Sequence, residues 1–234
     1  MSNLRVTIVT VCLNAEADIE KALKSVMSQT YKNLEHIVID GGSTDKTLDI
    51  LKKYDGKLKA WKSEPDNGIY HAMNKGIEIA DGDIIGILNS DDILYPQAVQ
   101  TIVNTLTRNP SSDFTMAPVN LISRTDQIVG TVPVKPDDYS SKRIHRGMPC
   151  PHLSVYTWRR MYQIVGLYNT KYSLSADFDF LIRLCENGAR CAVIAEPIGA
   201  FRVGGVSGGY KTKAQNRRVL IDHSQPRCRT EGQF

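Results

Sequence analysis

Cysteine is scarce in this sequence and shows no metal-binding or disulfide pattern. The 234 residues include five cysteines, an odd number, without CxxC spacing. These spacings imply neither a zinc site nor a disulfide framework. Unpaired cysteines are typical of a reducing compartment, so we expect a cytoplasmic protein.

Long apolar runs are also missing. No stretch reaches the roughly 18 apolar residues that a membrane-spanning helix needs, and the opening MSNLRVTIVT has no apolar region of a secretion signal. We therefore expect no membrane span. Hydrophobic residues still make up 41% of the chain, which is enough for one sizeable core, so we expect a single domain.

Neither sign of charge is in strong excess. The chain has 29 basic and 25 acidic residues, a balance that argues against a dedicated nucleic-acid binder. Basic residues concentrate between 171 and 218, which suits a phosphate-bearing ligand or an anionic membrane surface, so peripheral contact with the inner membrane surface stays open. Residues 206–234 begin with a Gly- and Lys-rich stretch and are expected to form a flexible loop or tail.

Three common motifs are absent. The first predicted strand leads into TVCLNAEAD, which has no glycine and therefore no dinucleotide-binding GxGxxG, and neither GxxxxGK[ST] nor GxSxG occurs. These absences argue against a Rossmann dehydrogenase in particular. A nucleotidyltransferase would normally carry a Gly-rich basic loop at the same place, but it remains open as an alternative because it also uses an α/β sheet and carboxylate-bound metal.

Strand-like apolar runs alternate with helical patterns through the first half. Four strands are predicted, over RVTIVTVCL, LEHIVIDGG, KLKAWKS and GDIIGIL. Asn14 is the predicted N-cap of the first helix, and Pro96 is predicted to open the fourth helix. This alternation predicts an α/β fold with a mostly parallel sheet flanked by helices. The apolar stripes of the four helices are Ile19, Ala22, Leu23 and Val26; Leu48, Leu51 and Tyr54; Ile69, Met73, Ile77 and Ala80; and Val99, Ile102, Val103 and Leu106.

The pattern changes after residue 110. FTMAPV and QIVGTVPV are short strand-like pieces, ADFDFLIRLCENG predicts a helix, and CAVIAEP predicts a last strand. No internal repeat and no linker separates this part from the first half. We therefore predict one continuous domain.

Polar residues gather where the four predicted strands end. Ligands of open parallel sheets bind beyond the carboxyl ends of the strands, so together these clusters predict one site. Asp91 and Asp92 are the sharpest feature, because two adjacent carboxylates in a partly buried place favour a bound cation, although such pairs are also common in turns. The clusters are Thr10 and Asn14; Asp40, Gly41, Gly42 and Ser43; Glu64, Asp66 and Asn67; and Asn89, Ser90, Asp91 and Asp92.

Three ordered segments resemble a known family. They are similar to the signature segments of the family 2 glycosyltransferases, which are inverting enzymes with a GT-A fold. The three segments are TIVTVCLNAEADIEKALKSVMSQTYKNLEHIVIDGGSTDKT, SEPDNGIYHAMNKG and GILNSDD. The resemblance covers about residues 5–105 and resumes at SADFDFLIRL. It implies a GT-A domain over 1–205, with a nucleotide-sugar-binding half at 1–108 and an acceptor and catalytic half at 109–205.

The resemblance also implies ligands. The donor would be a nucleotide-sugar, by analogy a UDP-sugar, and the acceptor a glycan or lipid-linked hydroxyl in the synthesis of a cell-surface polysaccharide, lipopolysaccharide or glycolipid. A divalent cation, Mn²⁺ or Mg²⁺, would be held by the diphosphate and by Asp92, with Asp91 near the ribose. Such hard cations prefer oxygen ligands.

Further residues receive roles in the same way. Asp40 would accept the imide hydrogen of uracil, because an ionised carboxylate is an acceptor only. On the acceptor side the general base would be Asp177, preferred over Asp179, because an inverting transfer needs a group that takes the proton of the acceptor hydroxyl. The remaining expected contacts are Thr10 and Asn14 in the base pocket, Asp66 at the base or ribose, Gly68 beside the ligand, Lys75 at phosphate or sugar, His152 on the acceptor side, and Arg202 with Lys211 at the diphosphate.

The sequence departs from the family pattern at four places, one of which is His71, where close relatives often carry Asp. Asn89 stands where relatives often carry Asp, Ala176 where Glu is usual, and a late His is missing from the C-terminal region. These departures keep open a catalytically inactive protein that only binds nucleotide-sugars. The identity of the sugar and the oligomeric state do not follow from the sequence.

Overall fold

The computed structural model describes residues 4–204 and Arg217, and within 4–204 it has two β-sheets, six α-helices and four short 3-10 helices. The predicted tail over 206–234, including Lys211, lies outside the described residues except for Arg217. The strands are β1 (Val6–Cys12), β2 (Leu34–Asp40), β3 (Ala60–Ser63), β4 (Ile84–Asn89), β5 (Ile93–Leu94), β6 (Phe114–Met116), β7 (Val119–Ile122), β8 (Ile128–Val132), β9 (Tyr156–Trp158), β10 (Cys191–Val193) and β11 (Gly199–Arg202). The helices are α1 (Ile19–Met27), α2 (Thr47–Tyr54), α3 (Ile69–Glu78), α4 (Ala98–Arg108), α5 (Arg159–Val165) and α6 (Ala176–Glu186).

The main sheet has seven strands in the order β10-β6-β9-β4-β1-β2-β3. The strands β3, β2, β1 and β4 are parallel neighbours, while β9 runs antiparallel to both β4 and β6. This arrangement confirms the predicted α/β class and the mostly parallel sheet. The chain passes from β1 to β2 on one side and later returns to place β4 on the other, so a crevice opens at the carboxyl ends of β1 and β4.

Helices cover both faces of this sheet because β1 and β4 are apolar on both sides. Val9 and Val11 of β1 belong to the core that contains α3 and α6, whereas Val6 and Ile8 belong to the core that contains parts of α1 and α4. Side chains alternate between the two faces of a strand, so a continuous β-branched run serves both cores. All four predicted apolar residues of α1 are buried.

The structure corrects several predicted helix starts. Asn14 is not the N-cap of α1, because that helix begins at Ile19 after Asp18, and Asn14 lies in the preceding loop with a φ of 50°. Pro96 precedes α4 instead of opening it. Ile69, predicted to face the core, is 41% exposed at the start of α3.

A second sheet, with the order β5-β11-β7-β8, was not predicted. FTMAPV divides into β6, which joins the main sheet, and the first residue of β7, which joins the second. β5 follows directly after Asp91 and Asp92, and β11 pairs with it antiparallel. The second sheet therefore brings Arg202, the last residue of β11, next to the two carboxylates.

The described helices are also short. None of the helices found within residues 4–204 has the length and apolar character to cross a membrane. The predicted boundary between residues 108 and 109 coincides with the end of α4, but β6, β9 and β10 from the second half complete the main sheet. The predicted domain limits themselves stay a prediction.

The buried imidazole of His36 predicts a pH dependence of stability. His36 lies in β2, its Nε2 is 2.8 Å from Thr10 Oγ1, and burial lowers its pKa from 6.5 to about 3. Below pH 6.5 the unfolded chain binds a proton that the folded chain does not, so the free energy of unfolding falls as pH falls. We expect His36→Gln to remove a loss of roughly 1.4 kcal/mol per pH unit between about pH 6 and pH 4.

Chemical denaturation at a series of pH values measures this effect. His145→Gln, at an exposed position, is the matched control and should keep the pH slope of the unaltered chain. Equal slopes for His36→Gln and the unaltered chain would contradict the prediction.

Candidate active site

Two adjoining cavities open at the carboxyl edge of the main sheet. The first, of about 450 Å³, lies between the loop that follows β1, the start of α3 and the turn that follows β4. The second, of about 620 Å³, lies between α3, the end of β8, the segment around His152 and the start of α6. Ile69, Asn89 and Phe201 line both cavities. The two cavities therefore share one wall.

Asp40 is buried beneath the first cavity and does not line it. Its carboxylate accepts hydrogen bonds from the backbone N–H groups of Gly42 and Ser43, from the hydroxyls of Ser43 and Ser63, and from the Cys12 thiol. Burial opposes ionisation, but the bonds from Ser43 and Ser63 outweigh it and lower the pKa of Asp40. The expected contact of Asp40 with a base is therefore corrected, because five protein donors already saturate this carboxylate.

Thr10 is likewise corrected. Its side chain is fully buried inside β1, where its hydroxyl is paired with His36. Cys12, Leu13 and Asn14 line the first cavity instead. Thr10 was misplaced because alternate residues of a strand face opposite sides, and a polar side chain near a strand end can point to either one.

Asn14 and Gly68 do line the first cavity. Asn14 adopts a left-handed conformation, and its backbone N–H donates to Ser43 Oγ at 2.7 Å while its side-chain oxygen accepts from the Thr44 N–H at 2.9 Å. Gly68 has a φ of 111° immediately before α3, a conformation that side chains disfavour. Both residues shape the backbone of the cavity wall.

Asp66, and not Asp40, provides a carboxylate in the wall of the first cavity. It lines the first cavity, and its Oδ1 accepts from the Gly68 N–H at 2.7 Å. A Cβ on Gly41 would lie 2.8 Å from Asp66 Oδ2, so the carboxylate occupies the space that a side chain at position 41 would fill. The absence of a side chain at Gly41 therefore permits this placement of Asp66.

Lys75 is engaged elsewhere. Its ammonium forms an ion pair with Glu64 Oε1 at 2.7 Å and does not line either cavity. The expected contact of Lys75 with phosphate or sugar is corrected for this reason.

The adjacent carboxylates Asp91 and Asp92 differ in placement. Asp91 lines the first cavity, whereas Asp92 is 1% exposed, and its oxygens accept from the Arg202 backbone N–H at 3.2 Å and the Asn89 amide at 3.3 Å. Burial, reinforced by the charge of Asp91, raises the pKa of Asp92 to about 8. Asp91 is thus the carboxylate that lines the first cavity, Asp92 lies behind it, and the expected metal-facing role of Asp92 stays a prediction.

Asp91 fits a cation that takes most of its ligands from elsewhere. Burial raises its pKa, and the charge of Asp18 adds to this effect. No group of three or more candidate metal ligands occurs within residues 4–204. Magnesium-type cations are often held by one or two carboxylates with substrate phosphates and water, so this small donor set suits them.

Arg202 connects three elements instead of facing a ligand freely. Its guanidinium donates to Ser123 O at 2.8 Å and Asp126 Oδ1 at 2.7 Å, and its Nε lies 3.4 Å from Asp18 Oδ1. The same side chain borders a cavity beside Asp91, so the expected contact of Arg202 with a diphosphate stays a prediction. A third cavity, of about 430 Å³, shares Asp18 and Asp91 with the first, and Lys21 and Arg124 also line it.

Asp177 lines the second cavity, while Asp179 does not. Asp179 is buried and forms an ion pair with Arg183 Nε at 2.8 Å. Asp177 stands in the first turn of α6, and Tyr70 of α3 donates a hydrogen bond to its Oδ1 at 2.9 Å. The geometry therefore agrees with the preference for Asp177.

His152 also lines the second cavity, and its expected role on the acceptor side stays a prediction. Its Nε2 is 2.8 Å from the Tyr168 hydroxyl, and burial lowers its pKa. A neutral imidazole beside Asp177 is a polar group in an otherwise largely apolar wall. Sequence reasoning missed Asp18, Tyr70 and Phe201, because contacts made only after folding bring them to the edge of the sheet.

Comparison with known proteins gives a family. The model described as Glycosyl transferase family 2 matches residues 7–172. A glycosyltransferase of Mycobacterium tuberculosis (strain H37Rv) is 30% identical over 197 residues, which cover 82% of this chain and 71% of the relative. A PGL/p-HBAD biosynthesis glycosyltransferase of Mycobacterium bovis (strain BCG) is 29% identical over 181 residues, covering 76% and 68%.

Solved structures confirm the fold as GT-A type. Residues 1–349 of TarS from S. aureus, in complex with UDP-GlcNAc, superpose with a TM-score of 0.74 at 17% identity, covering 94% of this chain and 66% of that solved chain. A mannosyltransferase of Pyrobaculum calidifontis in complex with GDP-Man and Mn²⁺ superposes with a TM-score of 0.67 at 19% identity, covering 94% and 63%. The chain thus spans just under two thirds of each solved chain.

Proposed function

The chain belongs to glycosyl transferase family 2, and on this basis we propose that it is an inverting transferase that moves a sugar from a nucleoside diphosphate to an acceptor hydroxyl. The observation that carries the proposal is the pair of cavities with a common wall. One cavity has the carboxylates Asp66 and Asp91, and the other has Asp177. A donor in the first cavity and an acceptor in the second would meet at that wall.

The first cavity is proposed to hold a UDP-sugar. TarS, which shares the fold, was crystallised with UDP-GlcNAc. A uracil ring offers one imide N–H between two carbonyl groups, and Asp66 Oδ2 is the acceptor that the cavity provides for it. Asn14 and Gly68 form the backbone wall beside this carboxylate.

A divalent cation, Mn²⁺ or Mg²⁺, is proposed to bind with the diphosphate at Asp91. When bound, such a cation neutralises charge on the departing diphosphate. Asp92 would act behind it, holding the turn through Asn89 and Arg202. Arg124 lines the third cavity, on the Asp18 side of Asp91, and would add positive charge there.

The second cavity is proposed to hold the acceptor. Asp177 would take the proton of the attacking hydroxyl, and His152 would orient the acceptor. Apolar side chains dominate the wall, including Met73, Val132 and Leu174, which suits a hydroxyl carried by a lipid-linked or otherwise apolar-substituted glycan. We propose that this acceptor is a glycolipid and that it is used in the cytoplasm at the inner membrane surface. The likeness to a PGL/p-HBAD biosynthesis glycosyltransferase supports the acceptor class alone.

Substitution of Asp177 tests the proposed function. Asp177→Asn keeps the size of the side chain but cannot take a proton, so transfer from a UDP-sugar, or its hydrolysis without acceptor, should fall by about 10²–10⁴-fold. The measurement is release of UDP from a panel of UDP-glucose, UDP-galactose and UDP-GlcNAc with Mn²⁺. UDP binding and the melting temperature should change little.

Asp179→Asn is the contrasting variant. It breaks the buried ion pair with Arg183, so it should lower the melting temperature. Full activity in Asp177→Asn would contradict the assignment of the base. Binding of UDP without any turnover in the unaltered chain would instead indicate a protein that only binds nucleotide-sugars.

The carboxylate of Asp91 should be needed for metal-dependent nucleotide binding. UDP with Mn²⁺ should stabilise the unaltered chain by about 2.7 kcal/mol at 100 times the dissociation constant. Asp91→Asn should abolish the part of this stabilisation that requires Mn²⁺, as measured by thermal shift. Asp92→Asn is the matched control and should retain it, and the reverse result would return the metal contact to Asp92.

Gly41→Ala should weaken the binding of uridine nucleotides indirectly, by moving Asp66. The new Cβ would displace the Asp66 carboxylate, which is the end of a movable side chain, so the fold should tolerate the change. We expect roughly 10-fold weaker UDP binding by calorimetry, the low end of the cost of losing a hydrogen bond to a charged group. Gly56→Ala, where a Cβ meets nothing within 4 Å, is the control. Unchanged affinity in Gly41→Ala would contradict the role of Asp66.

A further inference from the structure

We propose that Tyr70 is the positioning residue of the site, which fixes Asp177 in the orientation that receives the acceptor proton. This inference rests on the proposed function, in which Asp177 is the base. Tyr70 is the second residue of α3, in the half of the chain that builds the first cavity, and Asp177 lies 107 positions later. The contact therefore joins the two halves of the site.

The contact is specific and buried. Tyr70 is 8% exposed, and its hydroxyl donates to Asp177 Oδ1 at 2.9 Å. One hydroxyl of α3 thus holds the carboxylate in the first turn of α6.

Helix α6 has no side-chain cap of its own at its start. Its N-cap residue, Ser175, has a φ of 72° and makes no capping hydrogen bond with its side chain. Within residues 4–204 the Ser175 hydroxyl has no hydrogen-bond partner at all. The start of α6 therefore lacks the usual side-chain cap, and the bond from Tyr70 to Asp177 ties this start to α3.

This arrangement leaves one carboxylate oxygen available. Tyr70 holds Oδ1, and within the described part of the chain Oδ2 has no donor, although Asp177 lines the second cavity. Oδ2 is therefore the oxygen that can accept a proton from a hydroxyl in that cavity. Because Tyr70 directly follows Ile69, which lines both cavities, the base is held in a fixed relation to the wall where the two substrates meet.

The ring of Tyr70 has a separate, structural contact. Its centroid lies 5.7 Å from that of Tyr168, whose hydroxyl is paired with His152. Tyr70→Phe retains this ring contact and removes only the hydroxyl. The substitution therefore separates positioning from packing.

Tyr54→Phe is a closely matched control. Tyr54 is also 8% exposed, and its hydroxyl also donates to a carboxylate, Glu20 Oε1, at 2.8 Å. This pair lies between α1 and α2, on the part of the fold away from the second cavity. Tyr54→Phe therefore measures the effect of removing a buried tyrosine hydroxyl, bonded to a carboxylate, that does not line the second cavity.

The test uses release of UDP from the UDP-sugar that the unaltered chain turns over fastest, with Mn²⁺ present. Tyr70→Phe should lower kcat by about 10-fold or more while the KM for the UDP-sugar stays unchanged. Tyr54→Phe should keep both values. In an Asp177→Asn background, Tyr70→Phe should lower kcat no further, because a positioning residue acts through the base.

Amide hydrogen exchange supplies a readout that does not depend on turnover. Exchange in a peptide covering Ser175 to Phe178 should be faster in Tyr70→Phe than in the unaltered chain or in Tyr54→Phe. Equal exchange, or an additive loss of kcat in the double variant, would overturn the inference. Absence of turnover in every protein would reject the proposed function, whereas equal exchange would reject the positioning contact.

Discussion

One buried carboxylate holds the edge of the sheet on which the site is built. Asp40 lies at the end of β2, and its five donors come from the end of β1, from the turn after β2 and from the end of β3. A buried charge is tolerated only when it is fully hydrogen-bonded, so these three chain segments must stay together. Ser43 extends the network to the backbone of Asn14. The wall of the first cavity is thus a consequence of satisfying Asp40.

A second network fixes the opposite side of the same cavity. Arg202 joins β11 to the turn between β7 and β8 through Asp126, and Lys21 of α1 meets the same carboxylate at 2.7 Å. The backbone N–H of Arg202 also holds Asp92. The small second sheet therefore positions the turn that carries Asp91. Several basic side chains that the composition alone would assign to a ligand are therefore paired with carboxylates inside this network.

The sequence predicted the edge of the sheet correctly but not the direction of each side chain at it. Four apolar runs identified β1 to β4, because continuous β-branched runs have few alternatives in an α/β chain. Thr10, Asp40 and Asp92 were predicted to face the ligand, and each points into the protein, since a shift of one residue moves a side chain to the other face. The second sheet was missed because strands of two to five residues, paired across long sequence distances, carry little local signal. Asp177 was favoured over Asp179 from its place at a helix start, and the geometry agrees because Asp179 is taken up by Arg183.

The common wall of the two cavities has a consequence for how this scaffold can diversify. Ile69, Asn89 and Phe201 bound both cavities, so a change in the volume of any of them alters both at once. If one of these three residues changed to admit a larger group on one substrate, the fit of the other substrate in its own cavity would also change. Independent adaptation is confined to the outer walls, near Asp66 on one side and Met148 on the other. Descendants of such a chain would thus be expected to vary in these outer walls and to keep the partition between them.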